Sequence, residues 1–167
     1  EKQASELTLS TFHSWGLRFL KENTSFTNRQ WPFKLIDEEK KLSILKELSG
    51  QQKTNQLAQE LSIIKQELNE DNIRNPEKKE LLKSYESELL QTNAFDFDDL
   101  LYWPVRILEE QQNLRESFQK RYSYILVDEY QDVNYAQYRL TQLLAGKQNA
   151  NLMVIGDPNQ AIYGFRG

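Results

Sequence analysis

Two stretches decide the fold that this sequence predicts: Tyr124-Ile125-Leu126-Val127-Asp128-Glu129 and Leu152-Met153-Val154-Ile155-Gly156-Asp157. Each is a short apolar run that ends abruptly in an acidic residue, and a helical pattern lies between them. This order of strand, helix and strand is typical of a parallel α/β sheet with buried strands. Because such sheets bind ligands at the carboxyl ends of their strands, both acidic ends are expected at one binding edge.

A helical segment of different composition precedes this α/β region. From about Lys34 to Leu90 the only glycine is Gly50, and apolar residues recur at helical spacing. We expect two to four amphipathic helices here, with breaks near Ser49-Gly50 and Asn75-Pro76. Their charged faces are expected to be solvated surface rather than a dedicated binding surface.

The first 20 residues are expected to form a short strand that runs into a helix. Leu7 and Leu9 alternate with polar neighbours after Ser5, and alternation of this kind is typical of a strand. Ser10 and Thr11 then offer helix caps, and large apolar residues follow at helical spacing.

A second capped helix is expected directly after the helical segment. Asp96 is in position to cap it, and Asp99 lies three residues further on, in the capping-box position. Pro104 falls inside the apolar pattern of this helix. We expect it to kink or split the helix there, because proline removes a backbone hydrogen bond.

Composition excludes several classes of protein and of site. The 167 residues include no Cys and a single His, His13, which excludes disulfide scaffolds, cysteine nucleophiles and His-rich zinc sites. No apolar run approaches the roughly 18 residues that a membrane-spanning helix needs. A net charge of −4 argues against binding nucleic acid by bulk basicity, but not against a site that stacks bases.

The acidic end of the first strand has the form of a Walker B site. Asp128 at the strand tip suits holding Mg²⁺ through water, and Glu129 suits deprotonating the water that attacks a γ-phosphate. Helix capping is the alternative, because acidic residues are favoured at helix N-termini. The longer run from Asp128 to Asn134, DEYQDVN, favours the site, since a strand end needs only one cap.

The segment after the second strand adds an amide and two aromatic residues. Gln160 is placed to reach a terminal phosphate and to report whether it is present. Tyr163 and Phe165 lie two residues apart beside Arg166, and this combination suits stacking of single-stranded bases next to a phosphate. A turn whose aromatic residues pack into a core is the alternative for the same pattern.

Four segments together resemble the UvrD/Rep/PcrA family of superfamily 1 DNA helicases, and they occur in the family's order. They are Thr11-Phe12-His13-Ser14, Phe95-Asp96-Phe97-Asp98-Asp99-Leu100-Leu101, the run from Asp128 to Asn134, and GDPNQAIYGFRG from Gly156 to Gly167. The resemblance implies an α/β fold, with a partial RecA-like (P-loop NTPase) parallel sheet formed by residues 1–20 and 95–167. Residues 21–94 would be a largely helical insertion like the family's subdomain 1B.

The resemblance also implies roles for individual residues. Asp128 would coordinate the Mg²⁺ of Mg-ATP, Glu129 would be the catalytic base, and Gln160 would contact the γ-phosphate. Gln131 and Asp132 would help to link the nucleotide and DNA sites. The residues in contact with single-stranded DNA would be Thr11, His13, Ser14, Tyr163, Phe165 and Arg166.

The sequence departs from the family pattern in several places. Phe165 stands where Trp is usual, which reduces the stacking area, and Val133 stands where Thr is common, which removes a hydroxyl. No G-x-x-x-x-G-K-[ST] phosphate loop occurs in the sequence, and the second RecA-like domain is also missing. We therefore expect an internal fragment that does not hydrolyse ATP by itself, because the phosphate loop supplies most of the groups that bind the nucleotide.

The full-length protein is expected, by resemblance, to couple Mg-ATP hydrolysis to 3′ to 5′ translocation on single-stranded DNA and to duplex unwinding. Its expected location is the bacterial cytoplasm, in association with the nucleoid and with junctions of single- and double-stranded DNA. Two other interpretations remain open. One is a helicase-derived module that holds single-stranded DNA or a protein without catalysis. The other is a helical interaction protein with incidental acidic loops, which would place Asp128 and Gln160 far apart.

Overall fold

The computed structural model describes residues 7–50, 53–146 and 151–160, which form a mostly helical structure with two small sheets. The helices are α1 (Phe12–Asn23), α2 (Glu38–Ser49), α3 (Thr54–Gln66), α4 (Pro76–Gln91), α5 (Asp99–Glu110), α6 (Gln112–Arg121) and α7 (Tyr135–Ala145). The strands are β1 (Lys34–Leu35), β2 (Ala94–Phe95), β3 (Ile125–Val127) and β4 (Leu152–Val154). No helix in these ranges is long and apolar enough to cross a membrane.

Each sheet in the described ranges consists of two parallel strands. In the second sheet Ile125 lies opposite Leu152 and Val127 lies opposite Val154, so β3, α7 and β4 form the predicted parallel unit. The pairing of β1 with β2, with Lys34 opposite Ala94, was not predicted. Strands of two residues are too short to show a periodic pattern.

Most positions of β3 and β4 are more exposed than the sequence predicted. Val127 is buried, but Leu126 is 63% exposed and Met153 is 58% exposed. A buried parallel strand needs cover on both faces of its sheet, and this sheet has only two strands within the described residues. The expectation of buried strands is therefore wrong at these positions.

The strand predicted before α1 is absent from residues 7–11, which are described. Leu7 and Leu9 are 75% and 91% exposed, so their alternation with polar residues creates no buried face. The predicted helix cap is confirmed, because Thr11 Oγ1 accepts a hydrogen bond from the backbone N–H of Ser14 at 3.2 Å.

The helical segment follows the prediction closely. Three α-helices, α2 to α4, occupy it, and α2 ends at Gly50 in a left-handed conformation with a φ of 67°. Pro76 begins α4, and the side chain of Asn75 caps it. These helices have a hydrophobic core of their own, which includes Leu45, Leu61, Tyr85 and Leu89.

A larger core joins α1 to α5, α6 and α7, and its members include Trp15, Phe19, Leu101, Phe118 and Leu140. Helix α5 runs continuously through Pro104, so the predicted split does not occur. Since Pro104 has no N–H, the Leu100 carbonyl lacks its usual helical donor. Gly16 of α1 packs directly against this carbonyl, because a Cβ on Gly16 would lie 1.8 Å from the Leu100 oxygen.

Candidate functional site

The backbones that follow β3 and β4 remain paired beyond the strands themselves. The backbone N–H of Ile155 donates to the Val127 carbonyl at 2.8 Å, and the N–H of Tyr130 donates to the Ile155 carbonyl at 2.9 Å. The two polar segments predicted to form the site therefore leave the sheet side by side at the same edge.

Gln131 connects the two strand ends through its side-chain amide. Its Nε2 donates to Glu129 Oε2 at 2.6 Å, and its Oε1 accepts from the backbone N–H of Asp157 at 3.2 Å. Gly156 leaves space for this amide, because a Cβ on Gly156 would lie 2.6 Å from Gln131 Oε1. The position of the Glu129 carboxylate is thus tied to the loop after β4.

Gln160 belongs to the same hydrogen-bonded group. Its Nε2 donates to Asp157 Oδ2 at 2.9 Å, and Asp157 Oδ1 accepts from the backbone N–H of Asn159 at 2.9 Å. These two donors lower the pKa of Asp157, with the backbone N–H having the larger effect. A chain of hydrogen bonds therefore runs from Glu129 through Gln131 and Asp157 to Gln160. These hydrogen bonds contradict the interpretation that places Asp128 and Gln160 far apart, because Glu129 directly follows Asp128 in the sequence.

Asp128 and Glu129 are exposed at the tip of β3. Asp128 Oδ1 accepts a hydrogen bond from the backbone N–H of Glu129 at 2.9 Å. Helix α7 is instead capped by Asn134, and Gln137 completes its capping box. The capping alternative for Asp128 and Glu129 is therefore wrong for α7.

The backbone of Glu129 adopts a left-handed conformation, with a φ of 52°. For a residue other than glycine this conformation costs about 1–3 kcal/mol and often occurs at functional positions. Asp132 follows at the end of the 3₁₀ turn Tyr130–Asp132. Its Oδ1 is buried and has no hydrogen-bond partner among the described residues.

The carboxylates at this edge fit a cation held largely by water and phosphate rather than by a protein cage. Across the described ranges, no group of three or more His, Asp or Glu side chains is arranged to hold a metal ion. Mg²⁺ in phosphate sites is commonly held by one or two carboxylates, several waters and the substrate. Asp128 is exposed, and the backbone N–H of Glu129 bonds to its Oδ1, so its carboxylate suits that mode of binding.

Thr11, His13 and Ser14 lie together at the start of α1. Thr11 Oγ1 donates to Ser14 Oγ at 3.0 Å, and both residues are exposed. The ring of His13 stacks on that of Phe97, with centroids 4.0 Å apart and planes inclined by 18°. Burial lowers the pKa of His13, and the charge of Asp98 opposes this shift.

Phe97 is a candidate functional residue that sequence reasoning missed. It is 57% exposed, although Asp96 and Asp98 on either side are buried. In the sequence Phe97 stands out only as one letter of a motif, because an isolated aromatic residue between acidic residues has no periodic signal. Exposed aromatic rings are the groups on which single-stranded bases stack.

Two lysines of the helical segment are buried, which corrects the expectation that its charges are solvated. Lys41 and Lys65 are each 2% exposed. Lys65 Nζ lies 3.0 Å from Asp96 Oδ2 and 2.7 Å from Asp99 Oδ1, and Lys41 Nζ lies 2.8 Å from Asp98 Oδ2. Burial alone would lower the pKa of Lys65, but the neighbouring carboxylates, Asp96 first, outweigh burial and raise it well above its usual value.

A cavity of about 500 Å³ lies among α3, α4 and α5, away from the strand ends. Its buried cations are paired within the lining, because Glu86 Oε1 lies 2.7 Å from Lys65 Nζ and Glu86 Oε2 lies 3.6 Å from Arg29 Nη2. This cavity is therefore not part of the candidate site.

Tyr163, Phe165 and Arg166 lie outside the residues that the structure describes. Their proposed contact with DNA, and the alternative in which the aromatic residues pack in a core, both stay predictions.

Comparison with known proteins identifies the family. The sequence profile of the UvrD/REP helicase N-terminal domain matches residues 1–167. The chain is 34% identical over 170 residues to the ATP-dependent DNA helicase Rep of Buchnera aphidicola subsp. Baizongia pistaciae, covering 95% of this chain and 25% of that protein. It is 32% identical over 185 residues to Rep of Escherichia coli, covering 99% of this chain and 27% of that protein. It is 33% identical over 181 residues to the ATP-dependent DNA helicase PcrA of Staphylococcus epidermidis, covering 99% of this chain and 25% of that protein.

The chain thus spans about a quarter of the length of these relatives, which are ATP-dependent DNA helicases from bacteria. Because the family profile matches the whole chain, this protein belongs to the UvrD/REP helicase N-terminal domain family.

Proposed function

We propose that this chain supplies the hydrolytic carboxylates and part of the single-stranded DNA surface of an ATP-dependent DNA helicase. The observation that supports this most directly is the hydrogen-bonded chain from Glu129 through Gln131 to Gln160. The full-length protein would couple ATP hydrolysis to 3′ to 5′ translocation on single-stranded DNA and to unwinding of duplexes, in the bacterial cytoplasm.

The chemistry would be divided between neighbouring carboxylates. Asp128 would hold Mg²⁺ through water, and the cation would neutralise charge on the phosphates. Glu129 would take a proton from the attacking water on Oε1, because Oε2 already accepts a hydrogen bond from Gln131. Gln131 would keep the carboxylate oriented for this step.

The same hydrogen bonds would couple hydrolysis to DNA movement. Gln160 would contact the γ-phosphate by exchanging its present bond to Asp157 for one to the phosphate. Asp157 also bonds Gln131 through its backbone N–H, so a shift in this loop would reach Glu129. Asp132, one residue beyond Gln131, would pass the shift towards the DNA surface.

The DNA surface would combine two groups of residues. Thr11 and Ser14 would contact the DNA backbone at the start of α1, beside the stacked rings of His13 and Phe97. Tyr163, Phe165 and Arg166 would add stacking and a phosphate contact. In this proposal residues 1–20 and 95–167 form a partial RecA-like domain 1A, and residues 21–94 form subdomain 1B. The two separate hydrophobic cores support this division.

The decisive test replaces the proposed base in the full-length protein. Glu129→Gln should abolish DNA-stimulated phosphate release while leaving nucleotide binding largely intact, because the amide keeps the shape of the side chain and loses its basicity. Glu110→Gln, at an exposed carboxylate on α5, is the matched control and should keep turnover. Normal turnover in Glu129→Gln would contradict the proposed role of this carboxylate.

The lack of a phosphate loop in the 167 residues favours a second function for the chain alone, namely DNA binding without catalysis. The isolated chain should bind single-stranded oligonucleotides but release no phosphate, since positioning by that loop supplies much of the catalysis of phosphoryl transfer. A phosphate-release assay with and without DNA checks this. Robust release that disappears in Glu129→Gln would show that the chain alone is an ATPase.

A further inference from the structure

Phe97 is exposed between carboxylates that are not. Asp96, Asp98 and Asp99 are 1%, 9% and 0% exposed, whereas Phe97 is 57% exposed. The turn formed by residues 96–99 therefore directs one aromatic ring outward and three charged groups inward.

Two of these aspartates close the turn on itself. The backbone N–H of Asp99 donates to Asp96 Oδ1 at 2.8 Å, and the N–H of Asp96 donates to Asp99 Oδ2 at 3.0 Å. This reciprocal pair has the form of the capping box that the sequence predicted, although α5 formally begins only at Asp99. Asp98, next to Phe97, takes no part in it.

The helical insertion supplies every side-chain donor that these three carboxylates have among the described residues. Asp98 accepts from Lys41 Nζ at 2.8 Å, from Ser62 Oγ at 2.6 Å and from Gln66 Nε2 at 2.9 Å. Asp96 and Asp99 share Lys65 Nζ, and Asp96 also accepts from the Tyr85 hydroxyl at 3.0 Å. Helices α2, α3 and α4 therefore all hold this one turn.

We infer that Lys41 and Lys65 are positioning residues, through which the helical insertion holds Phe97 against His13 on the surface that binds single-stranded DNA. The inference rests on the function proposed above for that surface. A carboxylate buried beside a lysine is stable only while it is paired. If Lys41 is lost, Asp98 turns towards water and displaces Phe97, which is its neighbour in the chain.

The experiment compares Lys41→Met with Lys40→Met. Methionine keeps most of the side-chain length and removes the charge, and Lys40 is the exposed neighbour of Lys41 on α2, so it is a matched control. Two readouts are measured on the folded chain. One is the proton NMR shift of the single imidazole, which the ring current of Phe97 moves upfield. The other is the fluorescence anisotropy of a labelled oligo-dT.

We expect Lys41→Met to lose the ring-current shift and to bind oligo-dT about fivefold more weakly or worse, which is the lower end of what one stacked base contributes. Lys40→Met should match the parent chain in both readouts, and Lys41→Arg, which keeps the charge, should restore most of the shift. If thermal melts show that Lys41→Met does not fold, Ser62→Ala removes a smaller part of the same group of bonds. It should move both readouts in the same direction.

An unchanged imidazole shift and unchanged affinity in a folded Lys41→Met or Ser62→Ala chain would overturn the inference. Phe97→Ala separates this result from a failure of the proposed function. If Phe97→Ala binds oligo-dT as tightly as the parent chain, the surface is not where DNA stacks, and the proposed DNA contact fails. The imidazole shift in the Lys41 variants would still show whether the insertion positions the aromatic pair.

Discussion

At the scale of single residues, the chain has one histidine, and its imidazole is therefore an unambiguous reporter of the proposed DNA surface. His13 stacks on Phe97 and lies near Asp98, so a burial effect and a charge effect act on it in opposite directions. Burial is the larger effect. A phosphate arriving at this surface would meet a ring that is mostly neutral near pH 7 and becomes a cation only in more acidic solution.

An NMR titration should place the His13 pKa below its usual value of 6.5. Phe97→Ala should raise it towards that value by exposing the ring, and Asp98→Asn should lower it further by removing a favourable charge. Because the folded state holds this proton less tightly than the unfolded state, His13 reduces stability as pH falls from about 6.5 through its folded-state pKa. A His13 pKa above 6.5 in the parent chain would contradict this account.

At the scale of elements, the contact between α1 and α5 depends on a glycine in one helix and a proline in the other. Pro104 removes the helical donor of the Leu100 carbonyl, and Gly16 allows the backbone of α1 to approach that carbonyl. A proline in the middle of one helix and a glycine in the middle of another would each weaken an isolated helix. Together they allow a close contact within the larger core.

Gly16→Ala should destabilise the chain by about 1–3 kcal/mol or more, the usual cost of overpacking, because the Leu100 oxygen belongs to the backbone and has little room to move. Urea denaturation measures the change in the free energy of unfolding. Arg18→Ala, at an exposed position on the same helix, should change it by about 0.5 kcal/mol at most. Equal stability of Gly16→Ala and the parent would show that the two helices separate easily.

Local signals in the sequence predicted the helices better than the strands, and they did not predict contacts between residues that are distant in the sequence. Thr11 as a cap and Gly50 as a helix end follow from patterns within a few residues, and the parallel pairing of β3 with β4 follows from the order of strand, helix and strand. Lys41 bonds Asp98 across 57 positions, and no local pattern separates this lysine from the exposed Lys40. The sequence places Glu129 and Gln160 after the two strands, whereas the position of Gln131 between them depends on the register of those strands.

At the scale of the whole molecule, two hydrophobic cores meet at a group of buried charges. One core joins α1 to α5, α6 and α7, and the other lies within α2, α3 and α4. Lys41 and Lys65 from the second part meet the 96–99 turn that begins α5. This junction makes the stability of the chain depend on the ionisation of its aspartates.

The chain should lose stability in acid below about pH 4. Burial would raise the pKa of Asp98, but Lys41 outweighs burial and lowers it below its usual 3.8. The lowered pKa means that the stabilisation is present above pH 3.8 and is lost as pH falls through the folded-state value. Burial and Asp96 raise the pKa of Asp99, so its contribution has the opposite sign.

Urea midpoints measured across this pH range check the prediction. Asp98→Asn should give a shallower acid dependence, with a slope reduced by about one proton at most. Arg18→Ala, which changes an exposed side chain that does not titrate in acid, is the control and should keep the slope of the parent chain. If the slope of Asp98→Asn equals that of the parent, ionisation of Asp98 does not stabilise the folded chain.

The left-handed backbone at Glu129 favours other residues for folding than the one that the proposed chemistry needs. Asparagine and glycine adopt this conformation more readily than glutamate. A library randomised at position 129 and sorted only for folded protein should therefore become enriched in asparagine or glycine. If Glu129 is the base proposed above, the same library sorted for ATP turnover in the full-length protein should return glutamate, and the two selections would then favour different residues at this position.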